Sequence, residues 1–251
     1  MARILDFDSD DGLPPETRWI AMFAVAIAVG MSVLVGSIAN VALPTIAHDL
    51  NVTPGESIWV VNSYQLAVTV SLLPLASLGD VYGYRRVYCI GLALFTLASL
   101  ACAVAPSLST LVLARVIQGI GGAGIMSVNG ALIRFIYPRA QLGRAVGNNV
   151  LVVATSSAAG PSIAAGIMAL TSWPWLFAVQ VPFGILALLL SLRYLPRSPL
   201  ATHRFDPISA LLNAIAFGLF ITGLDGIGRG QSIPGTSKNT GKPTIMGQKY
   251  Q

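Results

Sequence analysis

Seven apolar stretches limit the fold of this chain more than any other feature. They cover approximately residues 19–42, 58–78, 87–106, 109–132, 144–170, 176–194 and 207–226. Each is long enough to cross the roughly 30 Å hydrocarbon core of a bilayer as a helix. Each must be helical, because lipid offers no hydrogen-bond partner to the backbone. Since 54% of the residues are hydrophobic and only 10% are charged, an ordinary soluble domain is excluded. The sequence therefore predicts an all-α polytopic membrane protein.

The basic residues alternate between the connections of these spans. Arginines precede span one and follow spans two, four and six, whereas the connections after spans one, three and five contain neither Arg nor Lys. Cytoplasmic connections of membrane proteins are enriched in Lys and Arg. The pattern predicts a multi-pass protein of the inner membrane with a cytoplasmic N-terminus. The orientation of the protein in the lipid bilayer also explains the net positive charge of the chain. No nucleic-acid partner is therefore expected.

Arg115 lies inside the fourth apolar stretch. A charge at the centre of a membrane helix costs at least about 2.5 kcal/mol, so it seldom persists without a role. Successive residues of an α-helix are rotated by 100°, so that polar residues and glycines fall mostly on one face of this helix. This face carries Arg115, Gln118, Gly119, Gly122, Met126 and Asn129. This face indicates either a water-accessible pathway or an arginine that only tethers neighbouring helices. Gly121 and Gly124 point elsewhere and would allow another helix to approach closely.

Polar residues also line spans one and two. Asn40 shares a face with Ser32 and Gly36 near the end of span one, and Pro44 is expected to end that helix. Span two carries Asn62, Gln65 and Thr69 on one face. Such lines either bind helices together or line a cavity. Because several helices each have a polar face, a shared polar interior is predicted.

The short connection between spans two and three contains Asp80, Gly83, Arg85 and Arg86. The glycine predicts a tight turn. The arginines either set orientation alone or form a charged latch with Asp80 near the helix ends, where such charges gain about 0.3–1 kcal/mol each.

Span five contains Gly160 and Pro161, and the proline predicts a bend near Ser157. The turn after this span places Trp173 and Trp175 at the outer interface as membrane anchors. Cys89 and Cys102 have no metal or redox spacing and are expected to be buried as small apolar residues.

In combination, these stretches resemble the major facilitator superfamily (MFS). Within it they resemble the fourteen-span drug:proton antiporters that export quaternary ammonium compounds and methyl viologen. The resemblance covers about residues 15–230 and rests on four motifs in order: the end of span one at Asn40–Pro44, the loop at Gly79–Arg86, the span-four segment at Leu111–Ala123, and Gly160-Pro161 in span five. The chain departs from the family pattern at Val35, where an acid is usual, and at Val81, Tyr84, Ala164-Ala165 and Gln180.

The resemblance implies a proton-coupled efflux transporter for hydrophobic, often cationic compounds, and neither an enzyme nor a cofactor-binding protein. It assigns proton coupling to Arg115 and the antiporter motif to Gly160 and Pro161. It implies a cytoplasmic gate formed by Asp80, Gly83, Arg85 and Arg86. The substrate pathway would be lined by Asn40, Asn62, Gln65, Gln118 and Asn129. With Val35 in place of the usual acid, proton coupling through span one does not carry over.

The domain organisation follows from the same pattern. We expect a cytoplasmic segment over 1–18, a six-helix bundle over 19–195, a cytoplasmic loop over 196–206, a seventh transmembrane helix over 207–228 and a disordered, non-family tail over 229–251. The tail contains all three lysines, and positive-inside logic disfavours its outward position after seven spans. These features predict a truncated N-terminal half that lacks its C-terminal partner half. Two alternatives remain: a membrane fragment without transport activity, and an MFS carrier of other small solutes.

Overall fold

The structure, a computed structural model, describes residues 12–196 and contains six long helices. They are α1 (Pro15–Asp49), α2 (Trp59–Tyr82), α3 (Tyr84–Ala103), α4 (Leu108–Ile136), α5 (Leu142–Leu170) and α6 (Gln180–Tyr194). Short helical turns at Pro54–Ser57, Arg139–Gln141 and Trp175–Ala178 lead into α2, α5 and α6. With these turns, all six are long and apolar enough to cross a membrane. Spans one to six are confirmed, whereas the seventh helix, the tail and nearly all of the loop before that helix lie outside the described residues.

Helix α1 does not end at Pro44, as predicted, but continues to Asp49. A proline inside a helix removes one backbone hydrogen bond and crowds the preceding turn. Membrane helices tolerate this loss where neighbouring groups satisfy the freed backbone. The helix ends at Asp49, and two residues later Asn51 has a left-handed φ of 53°, a conformation that Asn adopts more readily than most residues.

Gly83 forms the predicted tight turn. It is the single residue between α2 and α3, and its φ of 96° is unfavourable for residues with a side chain. Its N–H donates to the Gly79 carbonyl at 2.9 Å. The two helices are therefore joined with almost no intervening loop.

Two of the three connections on the opposite side of the bundle contain capping boxes. Before α2, the Thr53 hydroxyl accepts from the Glu56 N–H at 3.3 Å, and the Glu56 carboxylate accepts from the Thr53 N–H at 2.8 Å. Ser107 and Thr110 make the equivalent reciprocal pair before α4. Each box satisfies two backbone donors that a helix start would otherwise leave unpaired.

Helix α4 packs closely against α2 and α3. A Cβ atom at Gly121 would lie 2.5 Å from the Phe95 backbone nitrogen and 2.7 Å from the Gly91 carbonyl oxygen. A Cβ atom at Gly124 would lie 3.0 Å from the Gly91 Cα. The predicted role of Gly121 and Gly124 is thus confirmed, because glycine brings the backbones of α3 and α4 into direct contact.

Helix α1 packs against α5 and α6. The contact with α5 is close at Gly160, where a Cβ atom would lie 2.6 Å from the Ser37 Cβ. Helix α6 approaches α3 at Gly184, which faces the Thr96 side chain. Cys89 and Cys102 are buried with free thiols, as predicted.

Trp173 is not an interfacial anchor. Its side chain is buried and meets Phe177 edge to face, with ring centroids 6.4 Å apart. Trp175, by contrast, is exposed. The turn of residues 171–175 therefore places one tryptophan against Phe177 inside the bundle and leaves the other on the surface, a difference that sequence pattern alone does not reveal.

Substitution of Gly121 tests the backbone contact between α3 and α4. We expect Gly121→Ala to lower the stability of the folded protein by about 1–3 kcal/mol, since the added Cβ meets backbone that cannot rotate away. Gly130→Ala is the matched control on the same helix, because no atom lies within 4 Å of its Cβ position. Thermal unfolding midpoints of the detergent-solubilised variants provide the measurement; equal midpoints would contradict the close contact.

Candidate functional site

Arg115 is fully buried where α2 and α4 meet. Its Nε donates to the Val60 carbonyl at 2.8 Å, and its Nη1 donates to Gln118 Oε1 at 2.7 Å. The guanidinium lies 4.4 Å from the centroid of the Tyr64 ring and 5.6 Å from that of Phe177. Its Nη2 atom is buried without a hydrogen-bond partner in the described part of the protein.

A second layer of hydrogen bonds holds the groups around Arg115. Gln118 Nε2 donates to Ser99 Oγ at 2.8 Å, and the Ser99 hydroxyl donates to the Phe95 carbonyl at 2.8 Å. The Tyr64 hydroxyl donates to the Ser32 carbonyl at 2.7 Å. Arg115 is therefore connected to α1, α2 and α3 as well as to its own helix. Sequence reasoning missed Ser99, Tyr64 and Phe177, since neither spacing nor composition distinguished them from ordinary core residues.

The Arg115 charge has no carboxylate partner among residues 12–196. The carboxylates there belong to Glu16, Asp49, Glu56 and Asp80, and the ion-pair contact found in this range joins His48 to Asp49 at 3.3 Å. Burying a charge costs several kcal/mol. Hydrogen bonds to charged groups return about 1.5–3 kcal/mol each, and a desolvated cation–π contact about 2 kcal/mol. The dipoles and rings around Arg115 are thus of the right size to offset its burial.

In this conformation, the face of α4 that carries Arg115 packs against α2. Gln118 is fully buried there, and its place along a substrate pathway stays a prediction. Cβ atoms at Gly119 and Gly122 would lie within 2.7 and 2.9 Å of Tyr64 atoms. This face of α4 is covered because the glycines at its centre allow α2 to pack directly against it. Further along, Asn129 is 9% exposed, and its buried Oδ1 has no hydrogen-bond partner within residues 12–196.

The surface of the bundle carries exposed polar side chains as well as large apolar ones. Large apolar residues are exposed on all six helices, including Ile90 and Leu97 on α3, Leu189 on α6 and Leu151 on α5. Helices α1, α2 and α5 also expose polar side chains within their apolar stretches, namely Asn40, Gln65, Thr69, Asn148 and Thr155. We call this second set the polar face. The predicted pathway residues Asn40 and Gln65 belong to it, and Asn62 is half-buried beside it on α2.

The predicted pairing of Asp80 with the arginines is not formed. Asp80 Oδ1 instead accepts from the Tyr84 hydroxyl at 2.6 Å. Arg85 donates to the Leu192 carbonyl at the end of α6, and Arg86 is exposed. The turn at Gly83 explains this outcome, because it brings Tyr84 onto Asp80.

Gly160 and Pro161 have different surroundings. Gly160 is buried at the contact with α1 described above, whereas Pro161 is exposed within an uninterrupted α5. Among residues 12–196, no group of three or more His, Cys, Asp or Glu side chains could hold a metal ion.

Comparison with known proteins identifies the bundle. The family model of the Major Facilitator Superfamily matches residues 25–236. The chain is 57% identical over 225 residues to the "Uncharacterized transporter YebQ" of Escherichia coli (strain K12), covering 89% of this chain and 49% of that protein. It is 34% identical to the "Riboflavin transporter RibZ" of Clostridioides difficile (strain 630), covering 83% of this chain and 46% of that protein.

A further relative is the "Putative multidrug resistance protein MdtD" of Salmonella paratyphi B (strain ATCC BAA-1250 / SPB7). It is 36% identical over 214 residues, which cover 85% of this chain and 45% of that protein. The chain thus spans about half the length of the curated relatives it matches.

Solved transporters share the fold. The peptide transporter POT, crystallised with sulfate, matches with a TM-score of 0.63 at 12% identity, over 83% of this chain and 44% of that chain. A bacterial homologue of the human lysosomal transporter Spinster, inward-facing and unoccupied, matches with a TM-score of 0.57 at 16% identity, over 78% of this chain and 47% of that chain. Together with the family match over most of its length, the six-helix bundle shows that this chain belongs to the major facilitator superfamily.

Proposed function

We propose that this chain supplies the N-terminal helices of a proton-coupled exporter of hydrophobic, often cationic compounds, such as quaternary ammonium compounds or methyl viologen. The exporter lies in the bacterial inner membrane, with the N-terminus of the chain in the cytoplasm. The observation that carries the proposal is Arg115, a fully buried cation held by uncharged groups within a membrane-spanning bundle.

A buried cation influences proton transfer through its field. In a medium of low dielectric constant, a positive charge favours the ionised form of a nearby acid and so changes when that acid takes up a proton. Since residues 12–196 place no carboxylate beside Arg115, the titrating acid belongs elsewhere in the complete carrier. Gln118 takes part by orienting Arg115 rather than by touching substrate.

In this proposal, the residues of the polar face line the substrate pathway. In MFS carriers, two six-helix halves rock about a site at their interface near the bilayer midplane. Asn40, Asn62 and Gln65 would contact substrate there, and Asn129 would join them when α2 and α4 move apart. Asp80, Gly83, Arg85 and Arg86 would form the cytoplasmic gate, while Gly160 and Pro161 would set the contact of α5 with α1.

The names of two relatives leave the substrate class open between two candidates. MdtD is named a "Putative multidrug resistance protein", which supports drug export, and RibZ is named a "Riboflavin transporter"; the two are 36% and 34% identical to this chain. The second candidate function is therefore an MFS carrier of another small solute. The same assay separates the two.

The first prediction concerns transport by this chain fused to the C-terminal half of YebQ. Cells expressing the fusion should accumulate less ethidium or methyl viologen than cells without it. Arg115→Ala should raise accumulation to that of cells without the carrier, because the buried charge is lost. Arg115→Lys should give an intermediate value, since an ammonium cannot reproduce the fork that reaches both Val60 and Gln118.

Arg193→Ala is the matched control, because Arg193 is exposed at the end of α6. Membrane levels and gel-filtration profiles identify variants that fail to fold. Normal export by a folded Arg115→Ala protein would refute the role of Arg115. If riboflavin but not ethidium is transported, the second candidate replaces the first. If the chain fused to the YebQ half moves no tested solute while YebQ itself does, the chain is a fragment without transport activity.

The second prediction concerns the support of Arg115 by Tyr64. Tyr64→Phe keeps the ring under the guanidinium and loses the bond to the Ser32 carbonyl, so stability should fall by about 0.5–1.5 kcal/mol. Tyr64→Leu also loses the cation–π contact and should cost about 1–2 kcal/mol more. Thermal midpoints in detergent measure both. Equal effects of Phe and Leu would show that the ring contributes nothing beyond its volume.

A further inference from the structure

Helices α2 and α5 contact α1 on either side of Asn40. A Cβ atom at Gly36 would lie 4.0 Å from the Tyr64 ring of α2, and a Cβ atom at Gly160 of α5 would lie 2.6 Å from the Ser37 Cβ. Successive residues of a helix are rotated by about 100°, so Asn40 falls between Gly36 and Ser37 around the axis of α1. Asn40 is nevertheless exposed. The polar side chains of α2 and α5 therefore belong to the two helices that flank an exposed strip of α1.

These three helices carry no charged residue within their apolar stretches. Residues 19–47, 57–79 and 145–170 contain no Asp, Glu, Lys or Arg. A bound compound therefore meets only the dipoles of uncharged side chains there, and a positive charge finds no opposite charge on α1, α2 or α5. Discrimination between compounds then depends on shape and on hydrogen bonds, which are stronger where water is excluded.

Thr69 on α2 and Thr155 on α5 are exposed, and both hydroxyls donate to their own helices. Each Oγ1 donates to the carbonyl oxygen four residues earlier, at 2.9 Å for Thr69 and 2.8 Å for Thr155. A carbonyl oxygen can only accept, so the hydroxyl hydrogen is used in this bond. A threonine hydroxyl has one hydrogen and two lone pairs. Each threonine therefore offers a bound compound a hydrogen-bond acceptor and no donor.

The other members of the polar face are amides. Asn40 uses one Nδ2 hydrogen on the Gly36 carbonyl at 3.1 Å and keeps the other. Gln65 and Asn148 carry both N–H donors and a carbonyl acceptor. Amides can therefore pair with either kind of group, whereas the two threonines distinguish donors from acceptors.

We infer that Thr69 and Thr155 are specificity-determining residues, which accept hydrogen bonds from N–H groups of the transported compound. The inference rests on the proposed function, in which the polar face lines the substrate pathway. Protonated amines and arylamines are then favoured over quaternary cations, whose nitrogen carries only carbon. A compound that offers only acceptors gains nothing at these positions unless a hydroxyl leaves its helix carbonyl.

Equilibrium dialysis of the full chain in detergent against two cations tests the inference. Ethidium carries aromatic amino groups with N–H donors, whereas methyl viologen carries none. Thr69→Val/Thr155→Val keeps the shape of both side chains and removes their oxygens. We expect the Kd for ethidium to rise about two- to tenfold, the range for loss of one hydrogen bond. The Kd for methyl viologen should stay unchanged.

Thr171→Val controls for the lost bond to the helix. Thr171 is exposed at the end of α5, outside the polar face, and its hydroxyl also donates to the carbonyl four residues earlier, at 2.8 Å. This variant should leave both affinities unchanged. Thr69→Ser/Thr155→Ser keeps both hydroxyls and should bind ethidium as the parent does. Gel filtration identifies variants that fail to fold; if the double valine variant is among them, the two single valine variants replace it.

Three outcomes overturn the inference: no saturable binding of ethidium by the parent, equal weakening of both cations by the valine substitutions, and serine variants that bind ethidium as weakly as the valine variants. Any of these, together with export by the chain fused to the YebQ half, leaves the proposed exporter intact. The expected binding pattern without export by that fusion supports the roles of Thr69 and Thr155 in binding and contradicts the exporter.

Discussion

The burial of Arg115 is the constraint on which the arrangement of the central helices depends. A cation without a carboxylate partner must find carbonyl, amide and aromatic groups close by, and these come from α2, α4 and the turn before α6. The Val60 carbonyl and the Tyr64 ring can reach the guanidinium only if α2 lies directly against α4. Gly119 and Gly122 allow that approach, because any side chain there would collide with Tyr64. The glycines on this face of α4 thus allow α2 to approach, and the groups on α2 then stabilise the buried charge of Arg115.

The six membrane helices could be predicted from the sequence because the bilayer permits one regular structure for long apolar stretches. Gly83, Gly121 and Gly124 could also be placed, since a tight turn and a close helix contact both require a residue without a side chain. The end of α1 was missed because a proline blocks one hydrogen bond and not a whole helix. Trp173 was misplaced because its preference for the interface competes with an interior of matching shape.

The surroundings of Arg115 were less predictable than its importance. A charge in an apolar stretch is visible in sequence, but the groups that stabilise it come from residues that are distant in the chain. Ser99, Tyr64 and Phe177 look like ordinary core residues until packing brings them to Arg115 or to Gln118 beside it. The same limit applies to Asp80, where the pattern of charges suggested arginine partners and the local turn supplied a tyrosine hydroxyl instead.

The capping boxes before α2 and α4 give the two ends of the bundle different chemistry. At their end, helix starts are completed by short, local hydrogen bonds between neighbouring residues. At the other end, arginine side chains join residues that are far apart in the chain: Arg18 donates to Gln141, and Arg85 donates to the Leu192 carbonyl. A change at a capping box therefore acts on the start of one helix. A change at one of these arginines acts on two elements at once.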